Sequence, residues 1–191
     1  MKTVFFDVDT QLDFLFPAGA LYVPGAEKIA PVLAELTRFA AENEIQIVST
    51  LDSHTEDDPE FKIWRPHCVI GTQGHQKYSQ TITGKQILVA KHTIDVFESE
   101  RLQEVIDDLR ADRYVVYGLA TDYCVRTAAF GLLKHQARVE VVTDAIKGIN
   151  SGETDAILRN FEENGGFLTT KQGVFTAYKK GAGDGKKPLE D

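Results

Sequence analysis

The sequence predicts an α/β fold, a three-layer α/β/α sandwich of the Rossmann-like kind around a mostly parallel sheet of about six strands. Two features of the 191-residue chain predict it. Short runs rich in Val, Ile, Leu, Phe and Tyr alternate with segments of helical periodicity, which is the pattern of repeated strand-helix-strand units. Several runs are almost continuously apolar, as strands are when helices cover both faces of a parallel sheet.

The first half of the chain contributes three of the predicted strands and one helix. Residues 3–8 are apolar apart from a threonine and an aspartate and form the first strand. Apolar residues then recur at the 3.6-residue helical period within 29–40. Strands follow at 45–49 and 86–90.

The second half alternates more regularly. A periodic helix within 102–109 precedes a strand at 114–118, and a helix within 125–133 precedes a strand at 138–142. A fourth helix is expected from a Ser151 cap to about Gly165, because glycine tolerates the left-handed backbone that ends many helices. A last strand covers 166–169. Residues 1–180 are therefore predicted to form a single domain, and 181–191, rich in Gly and Lys, a flexible C-terminal tail.

Composition narrows the class of partner. The chain is 42% hydrophobic and carries 29 acidic against 21 basic residues, a net charge of -8. Nucleic acid and anionic membranes would be repelled, so a small-molecule substrate is expected. Two cysteines are too few for a disulfide framework, and no run is long and apolar enough to span a membrane, so we expect a cytoplasmic protein. The sequence leaves a homo-oligomer open.

Polar residues follow the predicted strands, and ligands of parallel sheets bind beyond the carboxyl ends of strands. They are Asp9, Asp52 with His54, Lys91, and Cys124. Cys124 lies between a buried strand and a helix, where free N–H groups and the helix dipole favour a thiolate and an oxyanion. Taken alone, Cys124 could equally be a small buried hydrophobe. An isolated aspartate such as Asp9 is more often a turn cap, and a lone lysine such as Lys91 is usually a solvated strand end.

An irregular stretch, residues 50–84, holds a candidate metal site. Asp52 and His54 are two residues apart, so in extended chain they share one face, and His67 could add a third ligand. Two imidazoles and one carboxylate leave positions for water, as catalytic metal sites do. The spacing also permits three unrelated surface residues. Cys68 is interpreted as a packing residue, and the acidic run 56–60 as solvated surface.

Five motifs in register resemble the isochorismatase-like cysteine hydrolases, and within that family the nicotinamidases. The opening motif is Asp9-Thr10-Gln11-Leu12-Asp13-Phe14, and Lys91 is a motif by itself. The others are Asp52-Ser53-His54, Trp64-Arg65-Pro66-His67-Cys68-Val69 with Gly71-Thr72-Gln73-Gly74, and Ala120-Thr121-Asp122-Tyr123-Cys124-Val125.

The resemblance implies a catalytic triad of Asp9, Lys91 and Cys124, and a cis peptide before Ala120. It also implies an oxyanion hole formed by the backbone N–H groups of Ala120 and Cys124. The residues expected to contact the substrate are Phe14, Trp64, Leu119, Ala120 and Tyr123. Asp52, His54 and His67 would hold one divalent ion, zinc before iron or manganese, that orients a pyridine ring.

The expected reaction is hydrolysis of nicotinamide to nicotinate and ammonia through a cysteine thioester. Two alternatives remain open at this point. A metal-independent hydrolase of the same family would act on a ureido, carbamoyl or isochorismate-type substrate. A non-catalytic metal-binding protein would keep the metal ligands and have no need of Cys124.

Overall fold

The computed structural model describes residues 1–183, and its centre is a six-stranded sheet. The strands are β1 (Thr3–Val8), β2 (Gln46–Asp52), β3 (Gln86–Lys91), β4 (Arg113–Leu119), β5 (Arg138–Lys147) and β6 (Phe167–Thr169). Their spatial order is β3-β2-β1-β4-β5-β6, and all five pairings are parallel. The predicted α/β/α sandwich is confirmed, with a sheet that is wholly rather than mostly parallel.

Helices cover both faces of this sheet. They are α1 (Leu12–Leu15), α2 (Ala30–Glu42), α3 (Glu100–Leu109), α4 (Arg126–Leu133), α5 (Ser151–Glu163) and α6 (Lys171–Gly183). Buried residues of α3, α4 and α5 pack in one core with Val4, Phe6 and Val8 of β1. Those of α2 and α6 pack in a second core with Phe5, on the opposite face of the same strand. Alternation along β1 thus builds the two hydrophobic layers.

Several boundaries differ from the sequence prediction. Strand β5 continues to Lys147 because an irregularity in its pairing with β4 lets it resume after residue 142. Helix α5 begins at Ser151, but its cap is Asn150, whose side chain accepts from the N–H of Gly152 at 3.1 Å. Helices α1 and α6 were not predicted, and α6 runs to Gly183, into the segment predicted as tail. The remainder of that segment lies outside the described residues.

No helix within residues 1–183 is both long enough and apolar enough to cross a lipid bilayer.

The fold concentrates polar groups where β1, β2, β3 and β4 end. Gly118 in β4 has a φ of 122°, and a Cβ there would lie 2.0 Å from the carbonyl oxygen of Val8. Only glycine therefore lets β4 approach the end of β1 this closely. The crevice beyond these strand ends is where an open parallel sheet binds its ligand.

Candidate active site

Lys91 is the centre of a buried group of charges at the ends of three neighbouring strands. Its ammonium nitrogen lies 2.9 Å from Oδ2 of Asp9, 2.8 Å from Oδ1 of Asp52 and 3.5 Å from Sγ of Cys124. Lys91 and Asp52 are paired last residues of β3 and β2, and Asp9 directly follows β1. The strand register therefore brings together the residues that sequence reasoning placed at this edge.

Asp9 is fully buried and has a left-handed backbone, with φ of 46°. The hydroxyl of Thr50 donates to Oδ1 of Asp9 at 2.5 Å, and the N–H of Asp9 donates back to that hydroxyl at 3.2 Å. Burial raises the pKa of Asp9, and the charge of Lys91 opposes this while that of Asp52 adds to it. A carboxylate with a raised pKa is a stronger proton acceptor.

Cys124 lies in a single π-helical turn, Thr121–Val125, between β4 and α4. The peptide bond between Leu119 and Ala120 is cis. The position at a helix start agrees with the sequence prediction, but the expected thiolate does not. Burial raises the pKa of Cys124 well above its usual value; Lys91 lowers it, and the charges of Asp9 and Asp52 raise it. The resting side chain is therefore a thiol that needs a base.

Asp52, His54 and His67 are brought together and are all buried. Nε2 of His54 lies 3.0 Å and Nε2 of His67 lies 3.1 Å from Oδ2 of Asp52. Around the outer ring nitrogens, Nδ1 of His54 lies 3.0 Å from a carboxylate oxygen of Asp58. Nδ1 of His67 donates to the Arg65 carbonyl at 2.8 Å. Both Nε2 atoms therefore face the same carboxylate oxygen of Asp52.

This donor set fits a divalent metal ion. One candidate ligand atom from each of the three residues lies within 4.8 Å of the others, a separation that ligands about 2 Å from one ion can have. Oδ1 of Asp52 is held by Lys91, so its Oδ2 is the oxygen that faces the histidines. Two nitrogens and one oxygen suit zinc, iron or manganese and leave coordination positions free.

The groups around Asp52 keep its carboxylate ionised although it is buried. By itself burial would raise the pKa of this carboxyl, but the ammonium of Lys91 and hydrogen bonds from His54 and His67 bring it well below its usual value. Asp52 therefore stays ionised and serves both the lysine and the metal site.

Sequence reasoning missed three residues that shape the site. The side chain of Gln11 donates to the Asp52 carbonyl at 2.8 Å and accepts from the Asp52 N–H at 2.7 Å, which ties the end of β1 to the end of β2. Asp58 and Glu60 were interpreted as solvated surface. Instead, a carboxylate oxygen of Asp58 lies 3.0 Å from Nδ1 of His54, and Glu60 lines the pocket. Gln11 was visible in the opening motif; the other two are placed by the folding of an irregular loop.

A pocket of about 430 Å³, counting space open to solvent, borders the cluster. All five residues predicted to contact substrate line it: Phe14, Trp64, Leu119, Ala120 and Tyr123. Asp52, His67, Lys91 and Cys124 line it as well. Trp64 meets Tyr123 edge to face with ring centroids 5.1 Å apart, and Phe14 lies 5.5 Å from the His67 ring. The walls are therefore aromatic beside the candidate metal site.

The second cysteine belongs to the core. Cys68 is fully buried, and burial raises the pKa of its thiol. Its backbone N–H donates to Oδ2 of Asp13 at 2.7 Å. The interpretation of Cys68 as a packing residue agrees with this environment.

A protein-family model, the isochorismatase domain, matches residues 3–173. The chain belongs to the isochorismatase family. It is 27% identical to a nicotinamidase of Escherichia coli over 78% of this chain and 84% of that protein. The family and the nicotinamidase resemblance predicted from the sequence are thereby confirmed.

Solved structures of similar proteins agree with this assignment. The pyrazinamidase of Pyrococcus horikoshii, solved in complex with zinc, superposes with a TM-score of 0.83 at 30% identity, over 89% of this chain and 99% of that one. N-carbamoylsarcosine amidase from Thermoplasma acidophilum gives 0.78 at 26% identity, over 90% and 97%. Proteins similar to this chain thus include amidases named for different substrates.

Proposed function

We propose that this isochorismatase-family amidohydrolase converts nicotinamide to nicotinate and ammonia through a thioester on Cys124. The observation that carries the proposal is the position of Lys91, whose ammonium contacts Asp9, Asp52 and Cys124 beside an aromatic pocket. Lys91 therefore contacts the proposed nucleophile, its proposed base and one of the three candidate metal ligands. A reactive thiol and a ring-orienting group are the two parts that hydrolysis of a pyridine carboxamide needs.

In the proposed mechanism, Asp9 takes the proton of the Cys124 thiol, and the thiolate attacks the carboxamide carbon. Backbone N–H groups of Ala120 and Cys124 stabilise the oxyanion. Asp9 then returns the proton to the leaving nitrogen, and the C–N bond breaks to release ammonia and leave a thioester. Asp9 next takes a proton from water, whose oxygen attacks the thioester, and nicotinate leaves as Cys124 regains its proton.

Lys91 and the aromatic residues have positioning roles in this proposal. The Lys91 charge offsets the two buried carboxylates and stabilises the thiolate when it forms. Phe14, Trp64 and Tyr123 hold the ring, together with the strand end at Leu119. Asp52, His54 and His67 would bind one divalent ion, zinc first and iron or manganese next; when bound, it supplies an open position for the ring nitrogen.

The charge of the pocket favours a neutral substrate. Among the described residues that line it, Lys91 is the one lysine or arginine, and two carboxylates already pair with it. Glu60 adds another carboxyl group to the wall. Carbamoyl amino acids and isochorismate carry carboxylates that would find no unpaired lysine or arginine among these lining residues, whereas nicotinamide is uncharged. The cytoplasmic location expected from the cysteine count is part of the same proposal.

The test compares three substrates in the purified protein with its metal content assayed. Nicotinamide should release ammonia fastest, benzamide, which lacks the ring nitrogen, much more slowly, and N-carbamoylsarcosine slowest. The preference for nicotinamide over benzamide should largely disappear in His54→Ala. Full activity without metal, or a preference for the carbamoyl substrate, would favour the metal-independent alternative. Bound metal without turnover of any amide would favour the non-catalytic one.

A further inference from the structure

A second buried lysine-aspartate pair lies behind the proposed active site and has no part in the chemistry proposed above. Nζ of Lys77 donates to Oδ2 of Asp7 at 2.5 Å, and the two side chains are only 4% and 0% exposed. Asp7 lies in β1, two residues before Asp9, and Lys77 comes from the irregular loop between β2 and β3. Neither residue lines the pocket beside Cys124.

The pair is joined to the catalytic segment through Thr10. Nζ of Lys77 donates to Oγ1 of Thr10 at 2.6 Å, and this hydroxyl lies 3.0 Å from Oγ1 of Thr81. The next loop residue adds a backbone contact, since the N–H of Tyr78 donates to the Thr10 carbonyl at 2.8 Å. Lys77 therefore holds the side chain of the residue that directly follows Asp9.

Asp9 is where such a restraint matters. Its backbone is left-handed, a conformation that a residue other than glycine adopts only at a cost. The hydrogen bonds on Thr10 fix the chain immediately after it, and Thr50 fixes the Asp9 side chain from β2. A small rotation at this point would move the carboxylate away from the thiol that it must deprotonate.

A buried ion pair is a costly way to fill this space. Apolar residues of similar size often serve stability as well or better, so the energy of a buried pair is weak evidence of a stabilising role. The three donors that converge on Oδ2 of Asp7, from Thr10, Ser49 and Lys77, instead fix one geometry. That geometry specifies where the end of β1 lies relative to the loop.

We propose that Lys77, anchored by Asp7 and bonded to Thr10, is a positioning residue that holds Asp9 in line with Cys124. The inference rests on the proposed role of Asp9 as the base. It assigns a function to the loop at residues 77–78 that is separate from metal binding. It predicts that loss of the contact slows chemistry without weakening substrate binding.

The experiment separates positioning from stability. The double variant Asp7→Asn/Lys77→Met removes both charges, so no unpaired charge stays buried. The matched control is Arg113→Met/Glu140→Gln, which removes a buried pair with contacts of 2.9 and 2.6 Å between the starts of β4 and β5, away from the site. For each we measure kcat and KM for nicotinamide, and the rate at which iodoacetamide alkylates Cys124.

The Asp7/Lys77 variant should lose on the order of 100-fold in kcat with KM nearly unchanged, and its alkylation should slow. The Arg113/Glu140 variant should keep the native values per folded molecule. A native kcat and alkylation rate in the first variant, or an equal loss in both, would overturn the proposal.

A second pair of variants keeps the test decisive if the double variant does not fold. Thr10→Val removes the hydroxyl that Lys77 binds, whereas Thr10→Ser keeps it. Thr10→Val should be slow and Thr10→Ser close to native; equal rates would overturn the proposal. Failure of the proposed function itself looks different, because then the native protein releases no ammonia, or Asp9→Asn does not slow alkylation.

Discussion

Replacing Lys91 with methionine tests the electrostatics of the site most severely. Methionine keeps the length and the apolar stem of the side chain but removes the charge. Asp9 and Asp52, which lie 2.9 and 2.8 Å from the ammonium, would then remain buried without their cation. Removing one member of a buried ion pair typically costs about 3–5 kcal/mol. That is a large share of the roughly 5–15 kcal/mol by which such a domain is stable.

The size of this loss should depend on pH. Burial already raises the pKa of Asp9, and loss of Lys91 raises it further. A group whose pKa is raised on folding favours the folded state at low pH and loses that contribution as pH rises through the folded-state pKa. Asp9 can therefore become neutral in acid. The stability lost in Lys91→Met should be about 3–5 kcal/mol at alkaline pH and smaller in acid.

Urea denaturation followed by circular dichroism measures the loss of unfolding free energy in Lys91→Met, once in acid and once at alkaline pH. A chelator is present so that a bound ion does not replace the lost charge. Lys85→Met is the matched control, because Lys85 and its partner Glu44 are more than 80% exposed. It should change stability by less than about 0.5 kcal/mol. If Lys91→Met and Lys85→Met lose the same stability at alkaline pH, Lys91 does not stabilise the buried carboxylates of Asp9 and Asp52, and the reasoning is wrong.

Three further predictions concern the metal, the aromatic wall and a distant ion pair. Chelation should abolish nicotinamide turnover while the circular dichroism spectrum stays native, since the sheet carries the core, and a divalent ion should restore activity. Nicotinamide should change the fluorescence of Trp64, the sole tryptophan; an unchanged signal at saturation would place the ring elsewhere. Burial would raise the pKa of Glu140, but hydrogen bonds from Arg113 and Arg138 lower it, so Glu140→Gln should cost about 2–4 kcal/mol near neutrality. In a urea series, that cost should shrink as pH falls through the lowered pKa, and a constant cost would contradict the assignment.

The sheet was predictable because strands buried on both faces are short, almost continuously apolar runs, which are visible in the sequence. β1 was predicted with its observed bounds, and β3 to within one residue. β5 was cut short at residue 142, since its continuation depends on an irregular pairing with β4 that no local pattern shows. Helix α1 has four residues, too few for a helical period to be visible.

The site residues at the ends of strands were predictable, whereas those in the long loop between β2 and β3 were harder to predict. Asp9, Asp52 and Lys91 follow from the rule that parallel strands deliver their ends to one edge. Glu60 lines the pocket and Lys77 contacts Thr10 behind it because of how the loop folds, and the residues they meet are distant in sequence. Contacts of this kind are set by three-dimensional packing and leave no periodic signal.

The most direct test of the account is hydrolysis of nicotinamide by three proteins compared side by side. We predict that the native protein with a divalent ion releases ammonia and nicotinate in equal amounts, that Cys124→Ala releases neither while remaining folded, and that Cys68→Ala keeps most of the activity. Acid quenching of the native reaction should trap a nicotinoyl group on Cys124, visible by mass spectrometry of the peptide. Substantial ammonia release by Cys124→Ala would contradict the account.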